Sequence, residues 1–84
     1  MAIVTMRYWA AAKDAAGTAE QQLTADTLAT ALNLAGVNGG AQLRAVLDRS
    51  SFLIDGNPVG RRAAESVELA DGNVIEVLPP FAGG

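Results

Sequence analysis

The sequence predicts an α+β fold in which one sheet packs on one helical layer. Three observations carry that prediction. An extended, alternating run stands near the start of the chain, Ile3 to Trp9, and an apolar strand run, Val74 to Leu78, stands near its end. Between the second and third strand candidates, Leu28, Ala31, Leu32 and Ala35 recur at the i, i+3, i+4, i+7 spacing of one helix face. Finally, 84 residues that are 50% apolar and 18% charged suit a single small domain over 1–84, with a modest core and no need of disulfides.

In the first run Val4, Met6 and Tyr8 share one face of a strand, while Thr5, Arg7 and Trp9 share the other. "AAAKDAA", Ala10 to Ala16, favours a short helix, and Gly17 supplies its stop. Thr18 to Leu23 is polar enough for an edge strand. Thr24 or Asp26 is the expected cap of the main helix, and Gly36 is its expected end. Val37 to Gly40 then reads as a loop, and Ala41 to Asp48 resumes helical spacing through Leu43, Val46 and Leu47. "SFLI", Ser51 to Ile54, is a short strand bounded by the turn signal Asp55-Gly56-Asn57-Pro58. The turn signal Ala70-Asp71-Gly72-Asn73 precedes the last strand, which Pro79-Pro80 ends because proline cannot donate to a ladder. The first and last strands are the most apolar, so both suit the centre of the sheet, with their relative direction left open.

Composition excludes several function classes. With no Cys and no His, the chain lacks thiolate metal ligands, Cys nucleophiles and the usual general base near neutral pH. An autonomous enzyme is not expected. The nine carboxylates mostly sit beside turn or surface signals, which argues against an acid/base pair. Net charge is -3 and the six basic residues are scattered, so no cationic stripe is available for nucleic acid. No apolar run approaches the roughly 18 residues of a membrane span, and the start lacks a signal-peptide pattern, so a cytoplasmic protein without membrane contact is expected.

What remains is a surface and a tail. Trp9 falls on the face opposite the core, and an exposed Trp is either a rim residue or an anchor for a partner. Val59, Leu78 and Phe81 are expected to join it in one apolar patch. The last six residues, 79–84, read as a projecting tail. Pro79 and Pro80 stiffen its exit, and Gly83 and Gly84 have no Cβ, so a narrow tunnel in a partner can close around their backbone. A terminal carboxylate with a pKa of about 3.3 to 3.7 is ionised at neutral pH and is a poor electrophile, so another enzyme would have to activate it, as an acyl-adenylate for example. The internal pair Gly39-Gly40 shows that two glycines alone carry no meaning; position does.

"AAGT" (Ala15 to Thr18) and "LADGNVIEVLPPFAGG" (Leu69 to Gly84) resemble the small subunit of molybdopterin synthase, a ubiquitin-like sulfur carrier. The order of helix and strands matches over essentially the whole chain. The resemblance implies a ubiquitin-like β-grasp, a mixed sheet against one main helix with short extra helices. It further implies that the Gly84 carboxylate is adenylated, converted to a thiocarboxylate and carried into the large synthase subunit. There its sulfur builds the dithiolene of molybdopterin on a pyranopterin precursor, with two carriers serving each product, as suits a heterotetramer.

On this reading the chain is the non-catalytic half of a sulfurtransferase. Its partners are the large subunit, an activating enzyme and a sulfur donor system. It binds no cofactor stably, and ATP is consumed by the activating enzyme. Trp9, Val59 and Leu78 match apolar interface positions of the family, and Pro79, Pro80 and Phe81 lead the tail into the partner. Phe81 departs from the smaller valine or isoleucine usual there, which bears on the fit of the tunnel and the choice of partner. Sister carriers for thiamine, cysteine and tRNA thiolation share the Gly-Gly end, and those for thiamine are typically shorter and usually lack Pro-Pro. A β-grasp binding module with an inert tail is the alternative from another class.

Overall fold

The two apolar runs form β1, Ile3–Tyr8, and β5, Val74–Leu78. Between them come α1, Ala10–Ala16; β2, Glu20–Thr24; α2, Leu28–Arg49; β3, Ser51–Ile54; β4, Asn57–Pro58; and a 3-10 turn, Ala64–Ser66. In this computed structural model, which describes residues 2–80, the strands make one mixed sheet in the order β2-β1-β5-β3-β4. The two most apolar strands occupy neighbouring positions inside it, and they run parallel, with Met6 opposite Ile75 and Tyr8 opposite Val77. β2 pairs antiparallel with β1, and β3 antiparallel with both β5 and β4.

Alternation sorts the side chains of the central strands. Val4, Met6 and Tyr8 are 1%, 0% and 1% exposed, and Ile75 and Val77 are fully buried beside them. Leu28, Ala31, Ala35, Leu43, Val46 and Leu47 of α2 complete this core, with Ala12 of α1. Leu32, assigned to the same helix face, is only partly buried. Removing such side chains from water is the main stabilising term, about 1.5 to 3 kcal/mol for each fully buried Val, Leu, Ile or Met.

The main helix differs from expectation at both its start and its middle. Its cap is Thr27, whose hydroxyl accepts from the Thr30 N–H at 3.2 Å. Thr24 instead belongs to β2, opposite Ile3, and Asp26 accepts the Ala2 N–H at 3.0 Å. The first helical N–H, of Leu28, goes to the Val67 carbonyl at 2.9 Å, which ties the buried Val67 to the helix start. Gly36 does not end the helix. A glycine stops a helix only where the chain turns left-handed, and here that happens at Gly40, with φ of 85°. Gly36 stays helical and buried under Arg44, whose guanidinium lies 3.1 Å from where a Cβ would stand. The break is therefore a kink at one residue rather than a four-residue loop, and it keeps Leu43, Val46 and Leu47 on the core.

The hairpin between β3 and β4 turns on Asp55 and Gly56, whose φ values of 50° and 85° are those of a type I′ turn. Pro58 sits on the sheet's edge, where a missing N–H is tolerated. The Asp55 carboxylate accepts from the Val74 N–H at 2.9 Å and the Asn73 amide at 2.6 Å, and Asp71 accepts from the Ile3 N–H at 2.8 Å. These carboxylates hold backbone in place.

Thr27→Ala is expected to lower stability by about 1 kcal/mol through the lost cap, whereas Thr24→Ala should stay within about 0.5 kcal/mol. Urea unfolding of the two variants checks the assignment, and a larger loss in Thr24→Ala would move the cap back to the earlier position.

Candidate functional site

Both helices pack on one face of the sheet, so the other face is covered by no element among the described residues. The strand registers place Glu20, Arg7, Glu76, Leu53 and Pro58 in one row across all five strands of that face. Charge alternates along the first three, and Arg7 Nε donates to Glu20 Oε2 at 2.8 Å. Both groups are about half exposed, so this pair contributes at most about 1 kcal/mol, and its effect is to fix the side chains. Ile3 and Val74 extend the face toward the start of β1.

Trp9 stands one position beyond the Tyr8–Val77 pair, with its backbone N–H donating to the Val77 carbonyl at 3.3 Å. Its indole is 47% exposed, and its Nε1–H donates to Glu76 Oε1 at 3.3 Å, so the ring is anchored at one edge and open at the other. The backbone turns sharply after it. Ala10 has φ of 47°, a left-handed conformation that disfavours alanine by about 1 to 2 kcal/mol, and the Trp9 carbonyl accepts from the N–H groups of Ala12 and Lys13. Local strain beside an exposed aromatic is the kind of feature that concentrates at functional sites.

Leu78 ends β5 on the same face as Trp9, half-buried, and Pro79 and Pro80 follow it out of the sheet. The structure thus brings Trp9, Leu78 and the two prolines together at one end of the sheet. It does not bring Val59 there. Val59 is 6% exposed and packed in the core, because its N–H donates to the Phe52 carbonyl at 3.0 Å and draws the chain inward after β4, on the far side of the sheet order from Trp9. The expectation that Val59 lines the exposed patch is corrected accordingly. Leu53 and Pro58 are the apolar residues of the open face that sequence reasoning missed. The unbroken "SFLI" run gave no alternation from which to orient Leu53. Phe81, Gly83 and Gly84 lie outside the described residues.

Beside Trp9, toward β2, lies a hollow of about 450 Å³ lined by Arg7, Trp9, Lys13, Thr18 and Glu20 over Tyr8 and Ala19. Burial pushes the Tyr8 phenol above its ordinary pKa, and its hydroxyl is bonded to Gln21 Oε1 at 2.9 Å. Among the described residues no cluster of carboxylates is arranged to hold a metal ion, and no helix is long and apolar enough to cross a membrane.

A sequence model described as the ThiS family matches residues 6–84. The chain belongs to the ThiS family. Solved structures of similar shape agree with the fold of this family member. Small archaeal modifier protein 1 from Methanosarcina acetivorans is 25% identical, with a TM-score of 0.85 over 100% of this chain and 98% of its own. A putative molybdopterin converting factor subunit 1 from Pyrococcus furiosus is 18% identical, with a TM-score of 0.80 over 96% of this chain and 100% of its own. A complex of subunits 1 and 2 of molybdopterin-converting factor from Helicobacter pylori contains a chain 21% identical, with a TM-score of 0.71 over 98% of this chain and 99% of its own. No curated protein sequence matches. The fold of this ThiS-family chain is the ubiquitin-like β-grasp, with a mixed five-stranded sheet, one main helix and a short extra one.

Val59→Ala is expected to lower stability by roughly 1.5 to 3 kcal/mol, the loss proper to a core valine. Chemical denaturation that finds the variant as stable as the parent would return Val59 to the surface.

Proposed function

We propose that this ThiS-family chain is the sulfur carrier of molybdenum cofactor biosynthesis. Its Gly84 carboxylate is adenylated by an activating enzyme at the expense of ATP, exchanged for a thiocarboxylate, and presented to a large synthase subunit. The observation that carries the reading is the meeting of Trp9 and Leu78 at the point where β5 releases the chain toward Gly84. A partner that grips the open sheet face there is positioned to receive the tail. The neighbour solved as a complex of subunits 1 and 2 supports a large-subunit partner.

The division of labour follows from composition. A chain without Cys has no thiol on which to carry transferable sulfur, and the terminal carboxylate is the group left to do so once activated. Leu53, Pro58, Leu78 and Trp9 give the face its apolar contacts, while Arg7, Glu20 and Glu76 fix its orientation through charge. Proton transfers and pyranopterin binding belong to the large subunit.

A second reading rests on the Methanosarcina acetivorans neighbour, which is named as a protein modifier and is the one of these three with the highest identity. In that case the activated Gly84 is passed to an amine instead of to sulfur.

Incubation with an activating enzyme, ATP and a sulfur donor should raise the intact mass by the difference between one sulfur and one oxygen. Deleting Gly84 should abolish that gain and all synthase activity while leaving the circular dichroism spectrum unchanged; full activity with an uncleaved C-terminal extension would sink the mechanism. Trp9→Ala is expected to weaken binding to the large subunit by about 1 kcal/mol or more, as befits an interface anchor. Titration calorimetry that finds equal affinity in a normally folded variant would leave Trp9 as a rim residue of the core.

A further inference from the structure

We propose that the outer edge of β2 pairs with the same edge of a second copy of this chain, joining two five-stranded sheets through an antiparallel ribbon centred on Gln22. The inference is independent of what the tail carries. The sheet's two edges are finished differently. At one, β4 has only two residues and one of them is Pro58, which has no N–H to offer; both features blunt an edge against further pairing. At the other, β2 runs for five residues in unbroken register with β1. Its sequence, "EQQLT", contains no proline, glycine or lysine, so the devices that commonly protect an edge are missing from it.

The phase of the β1–β2 ladder sets which groups are open. The Tyr8 N–H donates to the Ala19 carbonyl at 2.8 Å and the Ala25 N–H to the Ala2 carbonyl at 2.9 Å, so the odd-numbered residues of β2 face β1. The backbone N–H and C=O groups of Glu20, Gln22 and Thr24 therefore point outward. Among the described residues, the one such group with a hydrogen-bond partner is the Glu20 carbonyl, which accepts from the Thr18 hydroxyl at 3.0 Å and keeps a second lone pair. The open window closes at Asp26, whose carbonyl accepts the Leu69 N–H at 2.9 Å.

This window is complementary to itself. In an antiparallel copy turned about Gln22, Gln22 faces Gln22 and Glu20 faces Thr24 at each end. These are the residues whose backbone groups point outward, so each of those pairs is a hydrogen-bonded one. The side chains agree with that register. Glu20 meets a hydroxyl and not a second carboxylate, the two Gln22 amides donate and accept across the axis, and Leu23 lies opposite Gln21 on the helical face. A parallel, in-register copy would instead oppose Glu20 to Glu20. The two-fold axis stands perpendicular to the sheet, which keeps both helical layers on one side, and the blunted β4 edges end the assembly at two copies. The end of β5 lies inward of β1, so pairing at β2 leaves that exit open in both copies.

Sedimentation equilibrium of the full chain is expected to show a concentration-dependent dimer below about 1 mM, as suits an interface smaller than the standard size. In nitrogen-15 spectra recorded over the same range, the Glu20, Gln22 and Thr24 amides should shift with concentration. Gln22→Pro removes a donor that β1 does not use, and Gln22→Lys sets like charges face to face. Each should weaken association at least about tenfold while leaving the circular dichroism spectrum unchanged. The chain has no Cys, and opposed Cα atoms of a hydrogen-bonded pair stand about 5.5 Å apart, within disulfide reach. Gln22→Cys should therefore oxidise to a covalent dimer at least about tenfold faster than Asn57→Cys on the β4 edge. A monomer at every concentration, which would leave the edge to a strand of another protein, overturns the proposal. So do shifts centred on Trp9 and Leu53 of the open face, undiminished association in Gln22→Lys, or equal oxidation at the two edges.

Discussion

The parallel register of β1 on β5, with Tyr8 opposite Val77, is the constraint on which the open face and its exit point depend. Parallel neighbours end at the same edge of a sheet, so the residue after β1 and the last residue of β5 must emerge together. In an antiparallel pair Trp9 would stand beside the start of β5, and the tail would leave from the opposite end of the domain. Parallel pairing also demands a crossover that no hairpin can supply, and α2 provides it by packing Leu28, Ala31 and Ala35 across the buried face. The helix that fills the core is thus what permits the tail to leave beside Trp9.

The two ends of the sheet use their charged groups differently. Around the start of β1, the carboxylates of Asp26, Asp55 and Asp71 accept backbone N–H groups of Ala2, Val74 and Ile3. Charge-assisted bonds of this kind satisfy donors that a sheet leaves unpaired where its strands begin. At the other end the polar groups bond mainly to one another across the open face, Arg7 to Glu20 and Trp9 to Glu76. Those bonds run from side chain to side chain and hold no backbone group. One end uses its carboxylates to hold backbone, and the other leaves them on an open face.

Much of the fold was legible because burial follows simple periods. The split of Val4, Met6 and Tyr8 from Thr5, Arg7 and Trp9 is a direct consequence of strand geometry, and it placed Trp9 correctly on the open face. The main helix was legible in its face but not in its limits. Three candidate oxygens stand within four residues at its start, and only tertiary contacts select among them: Asp26 is claimed by Ala2 and Thr24 by the sheet, which leaves Thr27. Gly36 misled for a related reason. A glycine that ends a helix and a glycine that admits a guanidinium look alike in sequence, and only the φ of 85° at Gly40 separates them. Val59 failed because a two-residue strand carries no period, so nothing in its neighbourhood said which way it turned. The pairing direction of β1 and β5 was illegible too, since it depends on contacts between residues about seventy apart in sequence.

On the proposed carrier reading, the chemistry of the tail and the geometry of the sheet constrain each other. A terminal carboxylate that must be activated in one protein and consumed in another cannot be buried in its own domain, yet it must arrive in each active site in one orientation. A rigid sheet face beside the point where β5 ends would meet both demands, and a link begun by Pro79-Pro80 would limit the volume the end can sweep and so raise its effective concentration at a partner's site. A carrier of that kind needs no His or Cys of its own. Orientation would come from Trp9 and its row of neighbours, and reactivity from the enzyme that receives the tail.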